Sequence, residues 1–385
     1  MRIGIFGGTF NPPHLGHIRL ANAAVDKLGL DMLFVIPSGV PPHKSMPKGS
    51  PTADMRLTMA REAFNKTSNA VVSDVETMIH EKSYTIDTVT SIKQEYPGAE
   101  MVLLVGADMY LTLESWKDSA NLLKNTIPAV FAREDDDFGK IEEYSLVLNK
   151  KYGVHTEIVA NNVTEISSSR LRKLLPERKG AEFIADVNYT YIIKNSLYNA
   201  KADWGWLRRN AYSMLSPTRI PHVAGCEEEA VRLAGRWGVD IDDAREAAIL
   251  HDVTKRLDAD GHMKLLKKYG YNEAKPTLDE EKLLHSKTGA IVARSEFGAS
   301  ETVADAIMWH TTGRAGMNAL EKVIYLADYI EPTRIIDGID ALRALSYEDI
   351  DKAMKMGLQM SIADMEARGI MPNHMTFDAL NSLCE

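Results

Sequence analysis

The sequence predicts two units of different fold class. Residues 1–202 read as an α/β unit with a parallel sheet, and residues 203–385 as an all-α unit. Three observations carry this reading. Short apolar strands alternate with helix-like segments through the first 200 residues. From Trp204 onward no strand-like alternation is found. A chain of 385 residues suits two domains, or three, at roughly 150 residues each.

The elements follow in order. Arg2 to Phe6 is a short apolar strand ending in Gly7-Gly8, and a helix is predicted from about Leu15 to Leu28. Met32 to Ile36 is a second strand, followed by a helix from about Thr52 to Phe64 and a strand near Val71 to Val75. Another helix spans about Thr85 to Glu95, and Met101 to Val105 is a fully apolar strand. A βαβα order of this kind implies a parallel sheet covered by helices, with ligands beyond the carboxyl ends of the strands. Glu134 to Asp137 reads as a solvated acidic loop. In the second unit the helical stretches are Asp243 to Leu250, Leu278 to Phe297, Glu301 to Trp309 and Ala319 to Tyr329.

Composition narrows the function classes. Hydrophobic residues make up 45% and charged residues 26%, as in ordinary globular chains. No run approaches the ~18 apolar residues of a membrane span. The N-terminus reads as strand and turn, so no signal peptide is expected. Two cysteines, Cys226 and Cys384, make no disulfide framework, which points to the reducing cytoplasm. A net charge of −9 argues against general nucleic-acid binding and leaves room for a local basic pocket that holds phosphates. A homo-oligomer is compatible with this composition.

The strongest motif is the string Gly7-Gly8-Thr9-Phe10-Asn11-Pro12-Pro13-His14-Leu15-Gly16-His17, between the first strand and the first helix. Glycines there let backbone N–H groups approach a ligand, and the helix that follows offers its positive end to phosphate. His14 and His17 share one face and can donate to phosphate oxygens as charge builds. A second element, Ile166-Ser167-Ser168-Ser169-Arg170-Leu171-Arg172, opens a helix with a serine N-cap and exposed N–H groups.

These two strings resemble the nucleotidyltransferase superfamily, and residues 1 to about 198 look like bacterial nicotinate-nucleotide adenylyltransferase. Further marks are Pro41-Pro42-His43-Lys44, Ser83-Tyr84-Thr85-Ile86-Asp87-Thr88, Gly106-Ala107-Asp108 and Leu113-Glu114-Ser115-Trp116. The resemblance implies a Rossmann-like fold and transfer of AMP from ATP to nicotinate mononucleotide, giving deamido-NAD and pyrophosphate. It assigns His14 and His17 to the ATP phosphates, with Lys44 and Arg172 neutralising the triphosphate and Mg²⁺ bridging its oxygens. Gly7, Gly8, Thr9, Phe10, Gly106, Asp108, Ser167 and Ser168 would hold nucleotide, and Thr85 and Trp116 the nicotinate ring.

The second unit carries His222, the pair His251-Asp252, His285, His310 and Asp328, each in a predicted helix or at a helix end. Imidazole and carboxylate suit Fe, Mn and Zn, and a lone carboxylate in so apolar a helix as Val323 to Ile330 is costly unless ligated. The order His, His-Asp, His, His, Asp resembles the HD-domain phosphohydrolases that hold two metals. The strings Arg219 to His222, His251 to Lys255, His310 to Gly313 and Tyr325 to Pro332 look like the HD-type symmetrical diadenosine tetraphosphate (Ap4A) hydrolases. That resemblance implies cleavage of Ap4A into two ADP at an iron-containing dinuclear centre, with Asp252 able to bridge metals and Lys255 and Arg334 facing the polyphosphate. The alternative keeps the transferase and makes the second unit a regulatory nucleotide-binding module, or one acting on another nucleotide.

Overall fold

The computed structural model describes residues 1–41, 45–79, 81–132, 135–160, 166–272 and 281–383. It divides into two compact units, Met1–Ala200 and Lys201–Glu385.

The first unit is built on six parallel strands, β1 (Arg2–Gly8), β2 (Met32–Pro37), β3 (Ala70–Val72), β4 (Glu100–Gly106), β5 (Ile127–Ala132) and β6 (Glu157–Ala160). Their spatial order is β3-β2-β1-β4-β5-β6, the Rossmann-like arrangement. Because side chains alternate along a strand, the central strands feed two cores. Ile3, Ile5, Phe34, Ile36, Met101, Leu103 and Val130 pack on one face with Ile86, Val89 and Ile92. Leu33, Val35, Val102, Leu104 and Phe131 pack on the other with Ala21, Val25, Ala60 and Phe64. Burial on both faces explains why Met101 to Val105 is apolar throughout.

Helix α1 is Leu15–Leu28 and ends at Gly29, whose φ of 57° is the left-handed conformation that closes helices. Helix α2 is Ala53–Phe64, with the Thr52 hydroxyl accepting from the Met55 N–H at 3.2 Å. Helix α3 is Thr85–Glu95. The third strand is shorter than the sequence suggested, ending at Val72. The acidic run is not a loop: Asp135 begins a helix, Asp135–Tyr152, and Glu134 lies outside the described residues.

The second unit is helical throughout its described residues. Helices Ile220–Trp237, Ile241–Leu250, Leu284–Phe297, Glu301–Trp309 and Ala319–Ile330 pack on one another around buried Leu233, Ala247, Ile249, Ile307 and Ile324. Side-chain caps set their starts: Asp240 accepts from the N–H groups of Asp242 and Asp243, Ser300 from that of Val303, and Asn318 from that of Glu321. The cap at Asp240 starts its helix two residues before the predicted Asp243. Of the predicted helix from Leu278, residues 278–280 lie outside the described residues, and the segment described begins at Leu284. Cys226 is buried and free, while Cys384 lies outside the described residues. Among the described residues no helix is long and apolar enough to cross a membrane.

Candidate active sites

In the first unit the strand order reverses between β1 and β4, which opens a crevice at their carboxyl ends. A cavity of 430 Å³ lies there. It is lined by Gly7, Gly8, Thr9 and His17 from the first motif, by Thr85, by Gly106 and Asp108 after β4, and by Trp116. Residues separated by more than 100 positions therefore share one pocket.

His14 is the N-cap of α1 and is buried. Its backbone N–H donates to His17 Nδ1 at 3.2 Å, and the two rings pack at a 32° tilt with centroids 3.7 Å apart. An accepting Nδ1 assigns the neutral His17 proton to Nε2. Phe10 behaves differently from the expectation. Its side chain is 1% exposed and packs edge-on against Phe6, Phe64 and His17, so only its backbone is left for a substrate.

The serine–arginine motif forms helix Ser168–Leu174, with Ser167 as N-cap accepting from the Arg170 N–H at 3.1 Å. This helix is fastened to the first motif. Ser168 Oγ donates to the Pro12 carbonyl at 2.9 Å, and Arg172 Nη1 to the Asn11 carbonyl at 2.6 Å. Asn11 is held further by Tyr198, whose hydroxyl donates to Asn11 Oδ1 at 2.8 Å, and by Ser50 at 2.9 Å. Ser167, Ser168, Arg172 and His14 are not among the residues lining the cavity. Lys44 lies outside the described residues.

Two residues that the sequence reading missed shape this site. Arg56, 2% exposed, donates to the carbonyls of Thr9 at 2.8 Å, Ser38 at 2.6 Å and Gly39 at 3.0 Å. Burial lowers its pKa. The signal was its position on the buried stripe of α2 with Ala60, Ala63 and Phe64, where a surface cation does not belong. Glu76 lines the cavity and accepts from Ser83 Oγ and Thr88 Oγ1, both at 2.8 Å.

In the second unit all six candidate ligands converge. Two groups have their donor atoms within 4.8 Å of one another: His222, His251 and Asp328, and His251, Asp252 and His310. His285 joins them, with Nε2 3.2 Å from His310 Nε2 and 3.3 Å from Asp252 Oδ1. Asp252 is central: Oδ1 faces His285 and His310 (3.9 Å), and Oδ2 faces His251 (3.4 Å) and His222 (3.9 Å). His222 Nε2 lies 3.0 Å from Asp328 Oδ1.

The donor set fits a metal centre. His251, His285 and His310 each place Nδ1 within 2.6–2.7 Å of a backbone carbonyl, those of Ala248, Lys282 and Ile307. His222 places Nδ1 3.0 Å from Glu331 Oε1. These contacts assign the proton to Nδ1 and leave Nε2 lone pairs turned toward the cluster. On His285 and His310 two such lone pairs face each other, which a cation between them would satisfy. His251 Nε2 and Asp252 Oδ1 are buried and make no hydrogen bond. Burial pushes His285 down to about 2 and His310 to about 4, so both are neutral, as ligands must be. Burial opposes charge on Asp252 and Asp328, yet both carboxyls are held well below the usual range, Asp252 chiefly by His251 and Lys255, and Asp328 by His222, His251 and Arg334.

Cations stand around this cluster. Lys255, an exposed residue, brings Nζ to 3.0 Å from His285 Nε2. Arg334 donates to Asp328 Oδ1 at 3.0 Å, and Arg219 pairs with Asp252 Oδ2. Arg219 and Glu331 were not singled out from the sequence. Each lies within a quoted string but carried no role of its own there, because an arginine or glutamate beside a ligand is also an ordinary surface charge.

Fold and sites together define the class: a Rossmann-like nucleotidyltransferase unit joined to an HD-type unit with a candidate metal centre. The cytidylyltransferase-like family matches residues 5–174 and the HD domain family residues 219–333. A probable nicotinate-nucleotide adenylyltransferase of Gemmatimonas aurantiaca is 33% identical over 201 residues, 51% of this chain and 92% of that protein. The chain belongs to the nicotinate-nucleotide adenylyltransferase family. A probable nicotinate-nucleotide adenylyltransferase/Ap4A hydrolase of Mycoplasma pneumoniae is 28% identical and spans both units, covering 92% of this chain and 97% of that one. Among solved structures, a predicted HD superfamily hydrolase involved in NAD metabolism from Clostridium acetobutylicum is 34% identical over 48% of this chain and 98% of that one, with a TM-score of 0.45.

Proposed function

We propose that the chain is a bifunctional enzyme of nucleotide metabolism acting in the cytoplasm on free nucleotides. In the unit Met1–Ala200, a phosphate oxygen of nicotinate mononucleotide attacks the α-phosphorus of ATP. The new O–P bond forms as the bond to the β-phosphate bridging oxygen breaks, giving deamido-NAD and pyrophosphate. No protein nucleophile is needed, so the protein's part is positioning and charge stabilisation. His17 Nε2–H donates to phosphate oxygen, with His14 packed against its ring. Backbone N–H groups at Gly7, Gly8 and Thr9 take phosphate, Arg172 and Lys44 neutralise the triphosphate, and Mg²⁺ arrives with ATP. Ser167 and Ser168 hold the far end of the triphosphate, and Gly106 and Asp108 the nucleotide. Trp116 stacks on the nicotinate ring above Thr85. The observation that carries this reading is the cavity at the β1/β4 reversal, lined by both the glycine turn and Trp116.

In the unit Lys201–Glu385, we infer symmetrical hydrolysis of Ap4A, in which one water is added and two ADP leave. His222, His251, Asp252, His285, His310 and Asp328 hold two transition-metal ions, iron being the expected one. Such ions supply Lewis acidity and a lowered pKa for water. Lys255 and Arg334 offer positive charge to the polyphosphate. A regulatory module that only bound nucleotide would not require six converging donors. The test is a panel of nucleotides offered to the intact protein with its metal content measured. Deamido-NAD from ATP and nicotinate mononucleotide, and ADP alone from Ap4A, are the expected products. Ap4A left uncut by metal-loaded protein would sink the second assignment.

A further inference from the structure

We propose that Glu331 is a positioning residue of the metal centre, holding His222 through its Nδ1–H, and that Gly225 exists to make room for it. The inference rests on the metal reading above. Glu331 is 0% exposed and immediately follows helix Ala319–Ile330, which carries Asp328. Its Oε1 lies 3.0 Å from His222 Nδ1. Oε1 also accepts from Thr333 Oγ1 at 2.6 Å, and Oε2 from the Thr333 backbone N–H at 2.7 Å. The carboxylate is thus fixed by three donors, two of them from Thr333. Arg334 Nε, 3.9 Å from Oε1, adds a cation beside it.

Gly225 lies in helix Ile220–Trp237, about one turn beyond His222. A Cβ there would stand 2.7 Å from Glu331 Oε2, closer than real Cβ contacts come. Alanine is the better helix former, so an interior glycine at this contact point matches a demand for space. The other three histidines rest on carbonyls of their own chain three residues back, a contact that any helix end supplies. His222 differs from them in that a carboxylate, that of Glu331, takes the place of the carbonyl. A carboxylate partner fixes tautomer and ring orientation and raises ligand basicity.

The test uses full-length protein stripped of metal and titrated with Co²⁺, read by calorimetry and by the visible absorption of the bound ion. Glu331→Gln keeps the size, but its amide N–H must meet one of the three donors. It is expected to weaken Co²⁺ binding by about 10- to 100-fold and to shift the absorption bands. Gly225→Ala should change both in the same direction. Glu331→Gln with wild-type affinity and spectrum would overturn the proposal while leaving the metal reading intact. Failure of the wild type itself to bind Co²⁺ would remove both. A measurement on unmutated protein guards against variants that do not fold: long-range ¹H–¹⁵N spectra of the metal-free form should show His222 as the Nδ1–H tautomer. An Nε2–H tautomer there refutes the proposal.

Discussion

Arg56 Nη1 donates to the Thr9 carbonyl at 2.8 Å, tying helix α2 to the glycine turn that lines the transferase cavity. The same guanidinium reaches Ser38 and Gly39 at the end of β2, and no carboxylate pairs with it among the described residues. Its removal leaves three carbonyls short of a donor, at about 1–3 kcal/mol for each one that stays buried. Arg56→Met should lower stability by about 3 kcal/mol and cut adenylylation kcat at saturating substrates. Arg56→Lys should recover little, because an ammonium lacks the planar fork that spans three acceptors. Denaturant unfolding and steady-state kinetics check this; a lysine variant equal to wild type in kcat would remove the fork argument.

Glu76 binds Ser83 and Thr88 together, and Thr85 lies between them. That clip fixes the start of α3 at the edge of the cavity. Glu76→Ala should raise the KM for nicotinate mononucleotide about tenfold or more, with a smaller change in the KM for ATP. Equal changes in both would mean that the clip serves the whole fold and not the mononucleotide side.

His17→Ala should remove most turnover while leaving mononucleotide binding nearly intact. A lost transition-state donor costs about a hundredfold or more in rate. Trp116→Ala should act mainly on the mononucleotide KM, since ring stacking operates in the ground state as well. Initial rates across both substrates separate the two patterns. Near-normal turnover by His17→Ala at saturating ATP would show that its Nε2–H faces no reacting phosphate.

The sequence made the sheet legible where strands were apolar and bounded by glycine or proline, as at Met32–Pro37 and Glu100–Gly106. It did not single out β5, where Pro128 interrupts the strand pattern, or the four-residue β6. Motif residues were legible because glycine, histidine and tryptophan in fixed strings imply a geometry. Arg56 and Glu331 were not, because their roles depend on partners at sequence distances of 47 and 109 residues. Phe10 shows the converse: it belongs to the motif by sequence and to the core by packing.

The last prediction separates the two units. Asp252 is fully buried, with one oxygen toward His285 and His310 and the other toward His251 and His222. Asp252→Ala takes a donor from both halves of the cluster at once and leaves Arg219 without its carboxylate. Bound metal should fall and Ap4A cleavage should be lost. Adenylylation should be almost unchanged, because Gly7 to Arg172, which carry the transferase assignments, all belong to Met1–Ala200. A chelator that strips transition metal, followed by Mg²⁺, should reproduce the split in unmutated protein, since the proposed transition-metal ligands all belong to the second unit. Both activities are to be read on one preparation, beside metal content and melting temperature. Parallel loss of both activities, in a variant that still melts cooperatively, would mean that the units act as one catalytic body. Retained Ap4A cleavage at full metal content would mean that Asp252 is not a ligand.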